Sequence, residues 1–164
     1  MASDKEQLAW AFGFPSIDGG TVHFAEFKGR VLLVANTASF CGYTYQYKGL
    51  EALFSAKSSA GLTVIGVPSQ DFHQESPDNA RVKAFCETRF DIDFPLTAIS
   101  QVRGAQAAPF YAWVNLEKQW QPKWNFYKVL IGRDGRIAGT FGSDEEPDGP
   151  ALSRAIETEL ARAV

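Results

Sequence analysis

Two apolar runs, Val31 to Asn36 (VLLVAN) and Leu62 to Val67 (LTVIGV), stand either side of a segment with helical spacing. Apolar runs of this length suit strands buried on both faces, and parallel sheets supply that setting. Between them Leu50, Leu53 and Phe54 fall on one face of a helix that fades at Ser58-Ser59, with Gly61 near its cap. Strand, helix, strand at this spacing predicts a right-handed crossover joining parallel neighbours. The turn into the helix holds Cys41. The carboxyl edge of the sheet is where loops of such folds carry chemistry, and Cys41 is expected there.

At the start of that helix unpaired backbone N–H groups would face the thiol and lower its pKa. By residue type alone, a free cysteine is more often buried and inert. The neighbours decide between the two readings.

The rest of the chain predicts elements around this unit. Asp18-Gly19-Gly20 between Phe14 and Val22 reads as a hairpin turn, and Lys28-Gly29 as a second turn. The polar loop Pro68 to Glu75 (PSQDFHQE) leaves the second strand at the same edge as Cys41. Ser76 as N-cap and Pro77 at the first position open a helix to about Arg89, with Val82, Phe85 and Cys86 on one apolar face. From spacing, Cys86 reads first as core packing. Phe94 to Thr97 enters a short strand, and Ala107 to Leu116 forms a helix with Phe110, Tyr111 and Val114 inward. Trp124 to Gly142 is a hairpin about Arg133-Asp134-Gly135, and Pro150 opens a last helix with Leu152, Ala155, Ile156 and Leu160 in a stripe. The sum is one α/β domain over residues 1–164, a mixed central sheet flanked by helices with an N-terminal β-hairpin.

Composition narrows the partners. A net charge of -3 without a long run of either sign offers no footprint for nucleic acid and no polybasic membrane patch. No apolar stretch is long enough to span a bilayer, and MASDKEQLAWAF lacks the order of a secretory signal. The expected location is cytoplasmic, or periplasmic if a signal had been removed. Two cysteines and two histidines, His23 and His73, at no ligand-like spacing give no expected metal or other cofactor. No Cys-x-x-Cys pair is present, which argues against a dithiol oxidoreductase.

Trp124, Asn125 and Gln74 are neutral hydrogen-bond donors in segments expected near Cys41. Each alone has an ordinary reading as a core aromatic or a solvated amide. Together with Cys41 they carry a resemblance. NTASFCGYTYQYKGLEAL (Asn36 to Leu53) resembles the cysteine signature of the glutathione peroxidase family, PSQDFHQE its second motif, and KWNFYKVLIGRDG (Lys123 to Gly135) its Trp-Asn motif. The resemblance runs from about Phe12 to Leu160. It implies a thioredoxin-like fold and thiol-based reduction of hydrogen peroxide and organic or lipid hydroperoxides. It implies Cys41 as the peroxidatic residue, with Gln74, Trp124 and Asn125 completing the site. Cys86, in KAFCETRF, matches the resolving cysteine of the thioredoxin-dependent branch, and its helix is then expected to unwind locally during turnover.

Departures from the family pattern accompany the match. The loop is one residue shorter than usual and lacks the glycines that follow the Phe, so Gln74 is the natural match and Gln70 the alternative. Ser69 stands where many relatives have a third cysteine. The short stretch from Leu116 to Lys123 lacks the insertion through which tetrameric relatives associate, and a monomer is expected. Glutathione as direct reductant, and a redox relay passing a disulfide to a partner protein, are the alternative functions.

Overall fold

The computed structural model describes residues 6–164; the first five residues of the MASDKEQLAWAF segment lie outside the described residues. A hairpin of β1 (Gly13–Pro15) and β2 (Thr21–His23) precedes the main sheet, its turn made by Gly19 and Gly20 at positive φ. The main sheet has four strands in the order β4-β3-β5-β6: β3 is Val31–Thr37, β4 Leu62–Pro68, β5 Lys128–Ile131 and β6 Ile137–Phe141. The helices are α1 (Gln46–Lys57), α2 (Asn79–Phe90), α3 (Pro109–Lys118) and α4 (Pro150–Leu160).

Both apolar runs are strands, and every residue of β3 and β4 is buried. They pair in parallel from Val31 opposite Leu62 to Thr37 opposite Pro68. Side chains alternate across the pleat. Leu32, Val34, Ile65, Val67, Val129 and Ile131 face one core with Phe14, Phe24, Phe110 and Tyr111. Val31, Leu33, Ala35, Val64 and Leu130 face the other, covered by Tyr47 and Leu50 of α1, Val82 and Cys86 of α2, and Leu152 and Ile156 of α4. Phe94 and Leu96 cross β4 at Gly66, where an added Cβ would lie 2.7 Å from a Leu96 methyl. Glycine is therefore what this crossing admits.

Several boundaries differ from the sequence reading. Helix α2 starts at Asn79 with Asp78 as its cap: the Asp78 carboxylate accepts from Ala80 N at 2.9 Å, while the Ser76 hydroxyl accepts from Asp78 N at 3.3 Å. An Asp caps as well as a Ser, and here Pro77 precedes the cap. Phe94 to Thr97 makes isolated bridges, Leu96 to Gly66 and Thr97 to Ser16, with no continuous strand. Helix α3 runs two residues later than expected, with Trp113 buried beside Phe110, Tyr111 and Val114. The hairpin strand starts at Lys128, since Phe126 has φ 63° and breaks the extension after Trp124-Asn125. Among the described residues no helix is long and apolar enough to cross a membrane.

Candidate active site

The register of the sheet brings three loops to one edge. Because Thr37 lies opposite Pro68, the segments from Ala38 and from Ser69 leave β3 and β4 side by side. Strand β5 runs antiparallel to β3, with Lys128 opposite Ala35, so Trp124 to Tyr127 enters the sheet at that same edge. The loops are then tied together. Phe40 N–H donates to the Gln74 carbonyl at 3.0 Å, and the Asn125 side-chain N–H₂ donates to Gln74 Oε1 at 3.1 Å. Asn36, at the end of β3, donates from Nδ2 to the Trp124 carbonyl at 2.8 Å, and its backbone carbonyl accepts from Phe126 N at 2.6 Å. The side-chain amide donor and the backbone carbonyl of one buried residue thus hold the strand end to the loop. The left-handed Phe126 sends its ring into the opposite core, edge-on to Tyr47 at 5.4 Å, while Asn125 stays at the loop interface. Trp124 packs against Phe72 with ring centres 5.4 Å apart.

Cys41 is a free, half-buried thiol in this cluster. The expectation that it opens the helix is corrected: α1 begins at Gln46, and Cys41 lies in a run of single turns that leads to it. Its backbone N–H donates to the Thr44 hydroxyl at 2.9 Å, and that hydroxyl donates to the Ala38 carbonyl at 2.8 Å. The sulfur accepts from Tyr43 N at 3.3 Å. The turn from Ala38 to Tyr43 winds tightly enough for one backbone donor, Tyr43 N, to reach the thiol without a helix. The Gln74 and Asn125 side chains hydrogen-bond to each other. Phe40, next to the thiol, is 67% exposed, and Tyr45 is also exposed.

Cys86 is in a different environment. It is fully buried in the second core two turns into α2, and the two thiols are not near each other. Burial above all pushes the Cys86 thiol up to about 11, and the nearby Tyr47 phenol only partly offsets this. Gln70, the alternative to Gln74, lines a separate polar cavity with Asp71, His73 and Gln101, and its carbonyl accepts from His73 N at 2.9 Å. His73 holds φ 61°, the conformation for which glycine is the usual choice.

Two further groups frame the site and were missed in the sequence. Lys128 is fully buried at the start of β5, donating to Gln46 Oε1 at 2.7 Å and to the Glu145 carbonyl at 2.5 Å. Burial holds its ammonium down at about 8, against the pull of the Glu146, Glu145 and Asp144 carboxylates. Gln46 in turn donates to the Ser143 carbonyl at 2.7 Å, and the Ser143 hydroxyl donates to the Asn125 carbonyl at 2.6 Å. A charged residue heading the apolar run KVLI was the available signal. Glu75, the neighbour of Gln74, is 8% exposed, and its Oε1 accepts from Ser39 N at 3.2 Å and Ser76 N at 2.8 Å. Burial raises its pKa, and the donors from Ser39 and Ser76 oppose the rise.

A mixed sheet flanked by helices, with a half-buried cysteine at the carboxyl end of its central parallel strand, defines a thioredoxin-like fold. A thioredoxin-family thiol:disulfide interchange protein from Chlorobium tepidum shares the fold at TM-score 0.72 and 17% identity, covering 96% of this chain and 98% of that one. The family model for glutathione peroxidase matches residues 9–115, which include Cys41, Gln74 and Cys86. A hydroperoxy fatty acid reductase of Synechocystis is 35% identical over 159 residues, covering 90% of this chain and 94% of the relative. A glutathione peroxidase-like peroxiredoxin of Schizosaccharomyces pombe is 36% identical over 148 residues, 87% of this chain and 92% of that protein. The crystal structure of Trgpx in apo form superposes with TM-score 0.78 at 32% identity, covering 97% of this chain and 99% of that one. The chain belongs to the glutathione peroxidase family, and its enzyme class is peroxidase.

Proposed function

We propose that this protein reduces hydrogen peroxide and organic or lipid hydroperoxides through Cys41, with Cys86 as resolving residue and thioredoxin as reductant. The observation that carries the reading is the half-buried Cys41 thiol where the loops bearing Gln74 and Trp124-Asn125 are hydrogen-bonded together. The Cys41 thiolate attacks the terminal peroxide oxygen and the O–O bond breaks. The alkoxide leaves with a proton as alcohol, and the sulfur becomes a sulfenic acid. Backbone N–H groups and the Gln74, Asn125 and Trp124 donors stabilise the negative charge as it passes from sulfur to oxygen.

Cys86 then displaces the sulfenic oxygen as water, giving a disulfide that a dithiol reductant returns to two thiols. A disulfide needs Cα atoms within about 7 Å, so α2 has to open for this step. The relatives named as a fatty acid reductase and a peroxiredoxin support the substrate class and the thiol cycle. The test is NADPH-coupled turnover with thioredoxin and thioredoxin reductase. Cys41→Ser is expected to abolish it, and Cys86→Ser to abolish it while leaving one equivalent of peroxide consumed; full turnover of Cys41→Ser overturns the reading.

A second reading follows from the burial of Cys86 in a folded helix. If α2 stays closed, glutathione resolves the sulfenic acid directly. Glutathione-driven turnover retained by Cys86→Ser would support it.

A further inference from the structure

Glu75 is a buried carboxylate to which the reaction above gives no part. It is 8% exposed, one oxygen takes two backbone donors, and the other, Oε2, is buried with no hydrogen-bond partner among the described residues. The two donors belong to different segments. Ser39 N comes from the loop of Cys41, and Ser76 N from the lead into α2. From Ser76 the connection continues: its hydroxyl accepts from Asp78 N, and Asp78 caps α2 by accepting from Ala80 N. A chain of hydrogen bonds therefore joins the Cys41 loop to the first turn of the helix that holds Cys86.

We propose that Glu75 is the positioning residue that couples the state of the Cys41 loop to the opening of α2. The inference rests on Cys86 as the resolving residue. A buried carboxylate oxygen without a partner costs stability, so the side chain stays inside only while both amides hold the other oxygen. When oxidation of Cys41 shifts its loop, Ser39 N withdraws and one donor remains. The carboxylate then has reason to turn toward the polar cavity of about 760 Å³ that it already lines with Gln70, Asp71 and His73. That movement takes away the acceptor of Ser76 N, frees the Asp78 cap, and lets α2 fray from its first turn toward Cys86. Closed in the reduced enzyme, the same contact keeps Cys86 packed and the helix folded.

Glu75→Gln is nearly isosteric and replaces the charged acceptor by a weaker neutral one. Rapid mixing of the reduced full-length enzyme with hydrogen peroxide, followed by tryptophan fluorescence, separates a peroxide-dependent phase from a peroxide-independent disulfide phase. In Glu75→Gln the disulfide phase is expected to be about tenfold faster, the scale of one charge-assisted hydrogen bond, with the peroxide-dependent phase changed much less. Amide exchange of reduced Glu75→Gln is expected to rise by a similar factor at residues 79–83 and not in β3 or β4. An unchanged disulfide phase with unchanged exchange at 79–83 overturns the proposal. So does a uniform rise in exchange across the chain, which marks Glu75 as fold support alone. Exchange measured in the Glu75→Gln, Cys86→Ser double variant separates the two readings. A local rise at 79–83 there, together with thioredoxin turnover retained by Cys86→Ser, keeps the link between loop and helix but removes its role in resolution.

Discussion

The two cysteines occupy opposite kinds of site. Cys41 lies in a loop where the backbone supplies a donor to the sulfur and the neighbouring Phe40 stands in solvent. Cys86 lies inside a helix with its sulfur in an apolar core. The first arrangement offers access and a backbone donor; the second withholds access, and the Tyr47 phenol beside it only partly offsets the cost of burial. A two-thiol peroxidase needs this asymmetry, because a resolving thiol that ionised freely would compete for peroxide.

The largest effect expected from this contrast is on peroxide reduction itself. Cys41→Ser should lose at least roughly a thousandfold in the peroxide-dependent phase, since an alcohol is a far weaker nucleophile than a thiolate. Equal loss on Cys86→Ser in that phase would erase the distinction between the two sites. Next comes labelling of the reduced native enzyme with a thiol reagent at pH 8. With its pKa pushed up to about 11, Cys86 should react roughly a hundredfold or more slowly than a free thiol, and Cys41 should take the first equivalent. Mass mapping of the labelled peptide checks this. Denaturation should bring Cys86 to the free-thiol rate.

Much of the arrangement around Cys41 was legible in the sequence. Unbroken apolar runs specify buried parallel strands, and a parallel pair with one crossover helix leaves its loops at one edge whatever the details. The βαβ unit and the Gln74 loop beside Cys41 followed from that, the other helices from their own apolar spacing, and the Trp124-Asn125 segment from the family resemblance. What local pattern did not supply was the exact approach. The Cys41 turn reaches α1 only at Gln46, because Thr44 folds back on Cys41 N and the Ala38 carbonyl before regular helix begins. The β5 start was shifted by one left-handed residue, Phe126, whose ring finds Tyr47 across the core. The roles of Lys128 and Glu75 depend on contacts 82 and 36 residues away along the chain, which no window reads.

Lys128 and Cys86 also give opposite dependence of stability on pH, a smaller effect. The Lys128 ammonium titrates at about 8 when folded and near ~10.4 when unfolded, so between these values the unfolded chain binds the extra proton. Its burial cost is complete below about pH 8 and shrinks as pH rises toward ~10.4, by up to about 3 kcal/mol. Cys86 has its folded value raised, so the folded chain holds the proton, and the stability it contributes is present below ~8.5 and lost as pH rises through about 11. Lys128→Met isolates the first. The wild type should gain stability relative to Lys128→Met in urea melts between pH 8 and 10; a constant difference would mean that the amine stays charged within the sheet.

The smallest effect concerns backbone conformation in the loop beside the thiol. His73 and Phe126 both sit at left-handed φ, 61° and 63°, where a Cβ crowds the following carbonyl at a cost of roughly 1–2 kcal/mol. Their side chains differ in what they return. The Phe126 ring is fully buried against Tyr47, so replacing it by glycine gives up more than the relief of strain supplies. Among the described residues the His73 side chain makes no hydrogen bond, while its backbone N–H donates to the Gln70 carbonyl at 2.9 Å. His73→Gly should therefore stabilise the protein by about 1 kcal/mol, less the entropy a glycine adds to the unfolded chain. A rise in the urea midpoint with an unchanged denaturant slope and unchanged peroxide-dependent rate is the expected result. A fall in that rate would instead place the imidazole in the chemistry of Cys41.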